Sequence, residues 1–210
     1  MLQRSRPLVY AMTRLLLVRH ANTDANGKRL AGRSEGIALN EEGRVQAQWL
    51  AARLAVLPVA AIYSSPLQRA METAEAIATL VGRDVEPREE FLEIEFGEWT
   101  GLDFDVLSRD ARFERFNRFR SSADVPGGES MLRAQARMID GLSRVRARHR
   151  YDCVVVVSHG DLIRAAVAYY AGVAVDLMQR IEVSTGSLSE IELGDDHVRI
   201  VRINETDARV

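Results

Sequence analysis

Two short segments that consist only of apolar residues lie far apart in this chain, and each is followed closely by a histidine. Leu15–Val18 precedes His20, and Val154–Val157 precedes His159. A strand that is apolar at every position is covered on both faces, which is typical of the parallel sheets of α/β proteins. Helical patterns separate these strands from each other and from a third strand at Ala60–Tyr63. We therefore predict an α/β fold with three layers, α/β/α, around a mostly parallel central sheet.

The segments between the strands predict the helices. Asn40 is expected to cap the first helix, which should end before Pro58. Its inward face is predicted from the apolar residues that recur every three or four positions: Val45, Trp49, Ala52 and Val56. Ser64-Ser65-Pro66 indicates a serine-capped start for a second helix that runs from about Leu67 to Leu80 or Val81.

The length of 210 residues suits one compact domain, and no linker or repeat divides the chain. We expect residues 1–13 to be a dispensable N-terminal extension and residues 14–210 to form a single domain. The tail predicts two strands, residues 187–193 and 197–203, which would add an antiparallel edge to the sheet. Deletion of residues 1–11 is expected to leave the activity intact.

Charge and composition restrict the class of partner. A formal net charge of −2 and a pI of about 6.1 argue against nucleic acid or an anionic membrane, so anion binding requires a local group of arginines. The one cysteine, Cys153, lies in an apolar run and predicts a buried thiol in a cytoplasmic protein. No apolar stretch reaches the roughly 18 residues of a membrane-spanning helix. The sequence has no Walker loop and no magnesium-type carboxylate cluster, so we predict no metal and no cofactor.

Polar side chains follow three of the predicted strands. His20 and His159 come after the two apolar strands, and Arg69 lies one helical turn beyond Pro66. In open α/β sheets, ligands bind at the carboxyl ends of the strands, where the following loops meet. We therefore expect these side chains to lie together in one site.

These residue types suit the transfer of a phosphoryl group. Its charge spreads over three oxygens, so catalysis depends on positioning and on cationic donors. Arg19 and Arg69 offer donors that stay charged at any working pH. A neutral imidazole is able to attack phosphorus and form a covalent intermediate, and a second imidazole, if protonated, would stabilise the transferring oxygens. A carboxylic acid held neutral near the site would protonate the leaving oxygen.

Five segments resemble motifs of the histidine phosphatase superfamily, which includes the cofactor-dependent phosphoglycerate mutases. Together they cover about residues 14 to 193, in the order and spacing of that family. The segments are Leu17–Thr23, Ser64–Ala74, Glu93–Gly101, Pro126–Ser130 and Val156–Asp161. A lone Arg-His pair carries no information, but five ordered motifs are hard to obtain by chance. The resemblance implies a phosphoglycerate mutase-like fold.

The resemblance also implies a role for each matching residue. His20 would be the nucleophile and Glu93 the proton donor. The phosphate pocket would consist of three residues with two more in support: Arg19, Arg69 and His159, then Thr23 and Asn26. The chain has Ala21 and Asn22 where the family frequently has Gly and Glu.

The implied activity is that of a phosphoric monoester hydrolase of the histidine acid phosphatase type. It would act on a small phosphorylated metabolite through a phosphohistidine, without a metal. The alternative within enzymes is a phosphoglycerate mutase-type transfer, but the short chain and the Glu93–Gly101 segment with Trp99 favour the phosphatase branch. A non-catalytic module that binds a phosphorylated ligand is a third interpretation. A homodimer is compatible with the sequence.

Several residues near these motifs have two interpretations. In an extended segment Glu93 and Glu95 lie on the same side, so only the motif selects Glu93. Asp161 is either a helix cap or an orienting group of the site. Trp99 is predicted to anchor the core rather than to contact substrate. The two histidines outside the motifs, His149 and His197, are predicted to lie on the surface.

Residues 103–122 are rich in arginine and phenylalanine and are predicted to be helical in pieces. Interleaved aromatic and basic residues are found in nucleic-acid-binding segments, but three nearby acidic residues dilute the charge. We expect the phenylalanines to face the core and the arginines to face solvent: Arg109, Arg112, Arg115, Arg118 and Arg120. A further hypothesis is that this segment forms a lid and that one of these arginines contacts the substrate.

Overall fold

One mixed sheet runs through the computed structural model, which describes residues 12–207. Within these residues the sheet has six strands: β1 Thr13–Arg19, β2 Val59–Ser64, β3 Val85–Pro87, β4 Cys153–Ser158, β5 Leu188–Leu193 and β6 Val198–Glu205. Their order is β3-β2-β4-β1-β5-β6, with parallel pairing among the first four and antiparallel pairing of β5 and β6. The predicted antiparallel edge is confirmed. Of the expected extension, residues 1–11 lie outside the described residues, and Thr13 already belongs to β1.

Helices cover both faces of the sheet. They are α1 Glu41–Ala55, α2 Gln68–Val81, α3 Phe104–Leu107, α4 Ala111–Arg118, α5 Met131–Arg148 and α6 Gly160–Tyr170. Short 3-10 turns lie at Glu89–Phe91, Gly97–Trp99 and Val175–Arg180. Side chains of α1 and α2 pack on one face of the sheet, and those of α5 and α6 pack on the other. The three-layer α/β/α prediction is confirmed.

The apolar strands are buried on both faces, as their sequences predict. In β1, Leu15 and Leu17 belong to the core beneath α5 and α6, whereas Leu16 and Val18 belong to the core beneath α1 and α2. None of these four side chains is exposed. Full burial of a side chain of this size stabilises the fold by about 1.5–3 kcal/mol. The carboxyl ends of these central strands are therefore firmly positioned.

The inward face of α1 differs from the predicted one. Asn40 does cap the helix, since its side chain accepts a hydrogen bond from the Gly43 N–H at 2.8 Å. However, Val45 and Val56 are 46% and 79% exposed. The buried stripe is Ala47, Leu50, Ala51 and Leu54. These positions follow the i, i+3, i+4, i+7 spacing of a core-facing stripe, and the two small alanines conceal it because they contribute little to an apolar pattern.

Candidate active site

Strand register brings the two histidines together. In the parallel pair of β1 and β4, Arg19 is level with Ser158, so the residues that follow them emerge side by side. The His20 N–H donates to the Ser158 carbonyl at 2.9 Å, and the imidazole rings of His20 and His159 have centroids 5.2 Å apart. The neighbouring strand β2 ends at the same level and delivers Ser65, whose N–H donates to the Val157 carbonyl at 2.9 Å. The predicted convergence at one edge of the sheet is therefore present.

The imidazole of His20 is held as one neutral tautomer. Its Nδ1 lies 2.9 Å from the Ala21 carbonyl oxygen, which only accepts, so Nδ1 carries the hydrogen. The lone pair is consequently on Nε2, where the Arg69 Nε donates to it at 3.3 Å. Burial, followed by the charges of Arg69 and Arg19, lowers the pKa of His20 well below its ordinary value. A neutral imidazole with an unprotonated Nε2 is the form that attacks phosphorus.

Two arginines beside this imidazole, the buried Arg69 and the half-buried Arg19, have unused donors. Arg69 is 2% exposed, and its Nη2 donates to the Gly32 carbonyl at 2.7 Å while Nη1 has no partner. Arg19 donates from Nη1 to the Val183 carbonyl at 2.7 Å, and its Nε has no partner. Buried N–H groups without an acceptor are costly, and two of them on charged groups beside one cavity form a receptor for an anion.

Gly160 gives Arg19 its path into the site. A Cβ at this first position of α6 would lie 3.2 Å from both Cζ and Nε of Arg19, which is closer than side chains normally pack. The absence of a Cβ at residue 160 therefore leaves room for the side chain of Arg19 to cross the start of α6 without a shift. Gly160 belongs to the second histidine segment of the sequence, and this contact gives it a physical role.

His159 is fully buried and neutral in the same way. Its Nδ1 accepts from Arg69 Nη2 at 3.4 Å, so the hydrogen is on Nε2, which donates to Ser65 Oγ at 2.8 Å. Ser65 was expected to cap α2, but that helix begins at Gln68 and has no side-chain cap. Burial and the charges of Arg69, His20 and Arg19 lower the pKa of His159 well below its ordinary value. The protonated form considered from the sequence requires a nearby anion to offset these arginines.

Glu93, rather than Glu95, belongs to the site. The side chain of Glu93 is 14% exposed, and its Oε2 lies 4.0 Å from His159 Nδ1. Burial, together with the negative charge of Asp161, raises the pKa of Glu93 to about 7. The side chain of Glu95 is 39% exposed and pairs with Arg33 at 3.6 Å instead. The structure therefore distinguishes Glu93 from Glu95, which the alternating pattern of an extended segment places on the same side.

The loop after His20 completes the inner wall. The Asn26 Oδ1 accepts from both the N–H and the hydroxyl of Thr23, at 2.8 and 2.7 Å. Asn22 replaces the frequent acid of the family, and its amide donates to Glu42 at 2.6 Å. A Cβ on Gly43 would collide with the Asn22 carbonyl oxygen, so α1 approaches this loop at a glycine. The loop is thus fastened to the start of α1.

Two adjoining cavities open at these residues. The inner cavity, of about 140 Å³, is lined by all the predicted phosphate-pocket residues except His159, which lies just behind Arg69. The outer cavity, of about 240 Å³, has an aromatic wall: Phe96, Phe104, Phe113 and Phe116. Arg19 and Glu93 line both cavities and therefore lie at their junction. Each volume is below the roughly 300–1,000 Å³ of drug-sized ligand pockets, which suits a small ligand in two parts.

Arg120 is the residue of the outer cavity that the sequence pattern places wrongly. It was expected in solvent, but it is 4% exposed, and Phe119 beside it is 55% exposed. Its Nη1 donates to Asp161 Oδ2 at 2.6 Å, and its guanidinium lies 4.5 Å from the ring centroid of Phe116. Because α4 ends at Arg118, helical spacing no longer predicts the direction of the side chains that follow. No sequence signal identifies Arg120 without this boundary.

Asp161 is an ion-pair partner and not a helix cap. Besides Arg120, it accepts from Arg164 Nη1 at 3.2 Å. Burial alone would raise the pKa of Asp161, but the two arginines outweigh burial and lower it. Asp161 is therefore a fixed negative charge on α6, close to Glu93.

The remaining sequence predictions concern the core and the surface. Trp99 is 1% exposed and its indole donates to Asp110 at 3.1 Å, so it anchors the core as predicted. Cys153 is a buried free thiol, also as predicted. His197 is exposed, but His149 is only 16% exposed and its Nε2 lies 2.9 Å from the Tyr63 hydroxyl. His149 is thus part of a packed pair, since Tyr63, the next-to-last residue of β2, supplies a polar partner.

Membrane-spanning helices and groups of metal-binding side chains are both absent from the described residues. No helix within residues 12–207 has the length and apolar character needed to cross a membrane. In the same residues, no three or more side chains of His, Cys, Asp or Glu are grouped so as to hold a metal ion.

Comparison with known proteins agrees with the family resemblance of the sequence motifs. A model of the histidine phosphatase superfamily (branch 1) matches residues 15–206. Phosphoserine phosphatase 1 of Hydrogenobacter thermophilus is 33% identical over 93% of this chain and 93% of its own length. Phosphoglycerate mutase-like protein 4 of Arabidopsis thaliana is 35% identical over 72% of this chain and 68% of its own length. The chain spans about half the length of three mycobacterial relatives that it also matches.

A solved structure agrees with the whole described fold. A phosphoserine phosphatase from Entamoeba histolytica, solved as a variant in complex with phosphoserine, superposes with a TM-score of 0.83. The two sequences are 26% identical, and the match covers 93% of this chain and 98% of the other. Small phosphorylated compounds are therefore ligands of a protein with this fold and related sequence.

Proposed function

Since this chain belongs to the histidine phosphatase superfamily, we propose that it is a phosphatase that hydrolyses a small phosphomonoester through a phosphohistidine on His20. One observation carries the proposal. The unprotonated Nε2 of His20 lies at a cavity that Arg19 and Arg69 also line, and each arginine has one buried nitrogen without a protein partner, Nε in Arg19 and Nη1 in Arg69. A nucleophile and an anion receptor at one point are what phosphoryl transfer requires.

The first step forms the phosphoenzyme. The Nε2 of His20 attacks phosphorus, and the bond from phosphorus to the ester oxygen breaks. Arg19 and Arg69 stabilise the charge of the equatorial oxygens, and His159 contributes a further donor once the substrate dianion raises its pKa. Thr23 and Asn26 support the loop that lines this cavity.

Glu93 serves both steps as acid and then as base. Its raised pKa of about 7 keeps a substantial fraction protonated near neutrality, so it is able to give a proton to the departing alcohol oxygen. The resulting carboxylate then removes a proton from the water that attacks the phosphohistidine, and inorganic phosphate is released. No metal takes part in either step.

The alcohol part of the substrate belongs in the outer cavity. Glu93 lies at the junction of the two cavities, and the proton it donates goes to the oxygen that joins phosphorus to the alcohol. With the phosphoryl group in the inner cavity, the alcohol extends toward the aromatic wall and Arg120. The modest size of both cavities favours a phosphorylated metabolite over a macromolecular substrate.

The test is turnover of 4-nitrophenyl phosphate in EDTA by the wild type and by His20→Ala. Chelator-resistant turnover that His20→Ala abolishes is expected, with phosphate trapped on His20 after rapid quenching. Turnover that EDTA removes, or that survives in His20→Ala, would contradict the proposal. Phosphorylation of His20 that passes to an acceptor alcohol faster than to water would instead indicate a mutase. Ligand binding without any phosphoenzyme would indicate a binding module.

A further inference from the structure

The segment that carries Glu93 has little regular structure of its own. It lies between two single 3-10 turns, Glu89–Phe91 and Gly97–Trp99, and forms no strand of the sheet. Its position is set from outside, through the backbone carbonyl of Glu93. That oxygen accepts from Arg33 Nε at 2.9 Å and from Arg137 Nη2 at 3.5 Å. Two arginines from distant parts of the chain therefore fix the residue whose carboxyl group faces the cavities.

Arg137 fastens the residues before Glu93 as well. From α5 its Nη1 donates to the carbonyl oxygens of Glu90 and Leu92, at 2.8 and 3.0 Å. One guanidinium thus binds several backbone carbonyls of the turn that precedes Glu93. Arg137 can make these hydrogen bonds together only if its guanidinium keeps one orientation. A carboxylate is well suited to fix that orientation, because it pairs with the planar guanidinium through two hydrogen bonds.

Glu129 supplies that carboxylate to both arginines. Its Oε1 lies 2.6 Å from Arg137 Nη2 and 2.9 Å from Arg33 Nη2. The side chain of Glu129 is 16% exposed, so these pairs are largely shielded from water. Its backbone N–H donates to the Glu95 carbonyl at 2.9 Å, which fastens the loop before α5 to the acid segment. Glu129 has no contact with the inner cavity.

We propose that Glu129 is a positioning residue for Glu93, acting through Arg33 and Arg137. The inference rests on the proposed function, because it assumes that Glu93 is the proton donor. Removal of the Glu129 charge leaves two arginines without their shared counterion and frees the Glu93 carbonyl to shift. Proton transfer is sensitive to displacements of well under 1 Å, whereas His20 and Arg19, at the end of β1, make no hydrogen bond or ion pair with Glu129, Arg33 or Arg137.

The test compares two esters that differ in their need for an acid. 4-Nitrophenolate leaves readily without a proton, whereas phenol, with a pKa of about 10 as in tyrosine, leaves much better when protonated. For Glu129→Gln we expect kcat/KM for phenyl phosphate to fall roughly 10- to 100-fold, within the roughly 100- to 10,000-fold that a general acid contributes. The value for 4-nitrophenyl phosphate should change by no more than about threefold, because its leaving group requires little acid catalysis.

Three variants complete the experiment. Glu95→Gln removes a neighbouring carboxylate that pairs with Arg33 and accepts from the Gly97 N–H but does not contact Arg137, and it should leave the ratio of the two esters unchanged. Glu129→Asp keeps the charge and should lose less than Glu129→Gln. Equal losses on both esters in Glu129→Gln, or no loss on either, would overturn the inference. Glu93→Gln tests the acid role itself. If Glu93→Gln loses activity mainly on phenyl phosphate and Glu129→Gln does not, only the positioning role of Glu129 is wrong. If Glu93→Gln shows no such preference, both the acid role of Glu93 and the positioning role of Glu129 are wrong.

Discussion

The candidate site has two walls that are built in different ways. The strand-end wall carries Arg19, His20 and His159, which follow buried strands and are positioned by backbone hydrogen bonds between neighbouring strands. The opposite wall, residues 89–129, consists of 3-10 turns and two short helices that are held by buried aromatic side chains and by hydrogen bonds and ion pairs of arginines. Under the proposed function, this difference divides the chemistry: the first wall would bind the phosphoryl group, and the second would position the acid and the alcohol. Substitutions in the first should affect every substrate, and those in the second should discriminate among them.

The largest effect should come from the strand-end wall. Arg69→Ala removes a donor to His20, the contact to His159 and an unpartnered Nη1. Loss of one preorganised donor to a transition-state oxygen typically costs about 100- to 1,000-fold, and we expect kcat/KM to fall by at least that factor for both aryl esters alike. Steady-state kinetics checks this, with Gln68→Ala, an exposed neighbour on α2, as the control. A loss confined to one ester would show that the division between walls is wrong.

The second prediction concerns the pH dependence of the two esters. Glu93 must be protonated to act as an acid, so activity that needs it declines as pH rises through its pKa of about 7. For phenyl phosphate, kcat/KM should fall about tenfold per pH unit well above that value. For 4-nitrophenyl phosphate, the pH profile should lack this decline at basic pH (the basic limb). Since the pKa of His20 lies below its ordinary 6.5, its protonation limits both esters only at more acidic pH. The same basic limb for both esters would contradict the assignment of the acid to the second wall.

The two walls also differ in how well sequence predicts them. Leu15–Val18 and Val154–Val157 are apolar at every position, which favours buried strands of a mostly parallel sheet, so the sequence predicts that His20 and His159 lie at the same edge. The strand order and register that place them side by side come from the structure. No comparable rule governs the second wall. The burial of Arg120 depends on where α4 ends, and the contacts of Glu129 depend on side chains that lie far apart in the chain. The resemblance to the family selected Glu93, but only coordinates show what holds it.

The third prediction tests the lid hypothesis with a single arginine. Arg120 is the one arginine of the five, all within the described residues, that is buried at the outer cavity. Arg120→Gln should raise KM for alkyl phosphates by up to about tenfold, roughly the loss of one charge-assisted contact of about 1.5 kcal/mol. Arg115→Gln and Arg118→Gln, exposed on the same segment, should leave KM unchanged. A rise in KM for the exposed pair but not for Arg120→Gln would refute this placement.

The smallest expected effect is a shift in the pKa of Glu93 on substitution of Asp161, which lies where the two walls meet. The negative charge of Asp161 helps to raise the pKa of Glu93, and Arg120 partly neutralises that charge. Asp161→Asn removes the charge, so the pKa of Glu93 should fall and the basic limb for phenyl phosphate should move to lower pH. Arg120→Gln exposes the charge of Asp161 more fully, so the limb should move to higher pH. Measured pH profiles of the two variants test these opposite signs. Shifts in the same direction, or none, would mean that the charges of Asp161 and Arg120 do not set the pKa of Glu93.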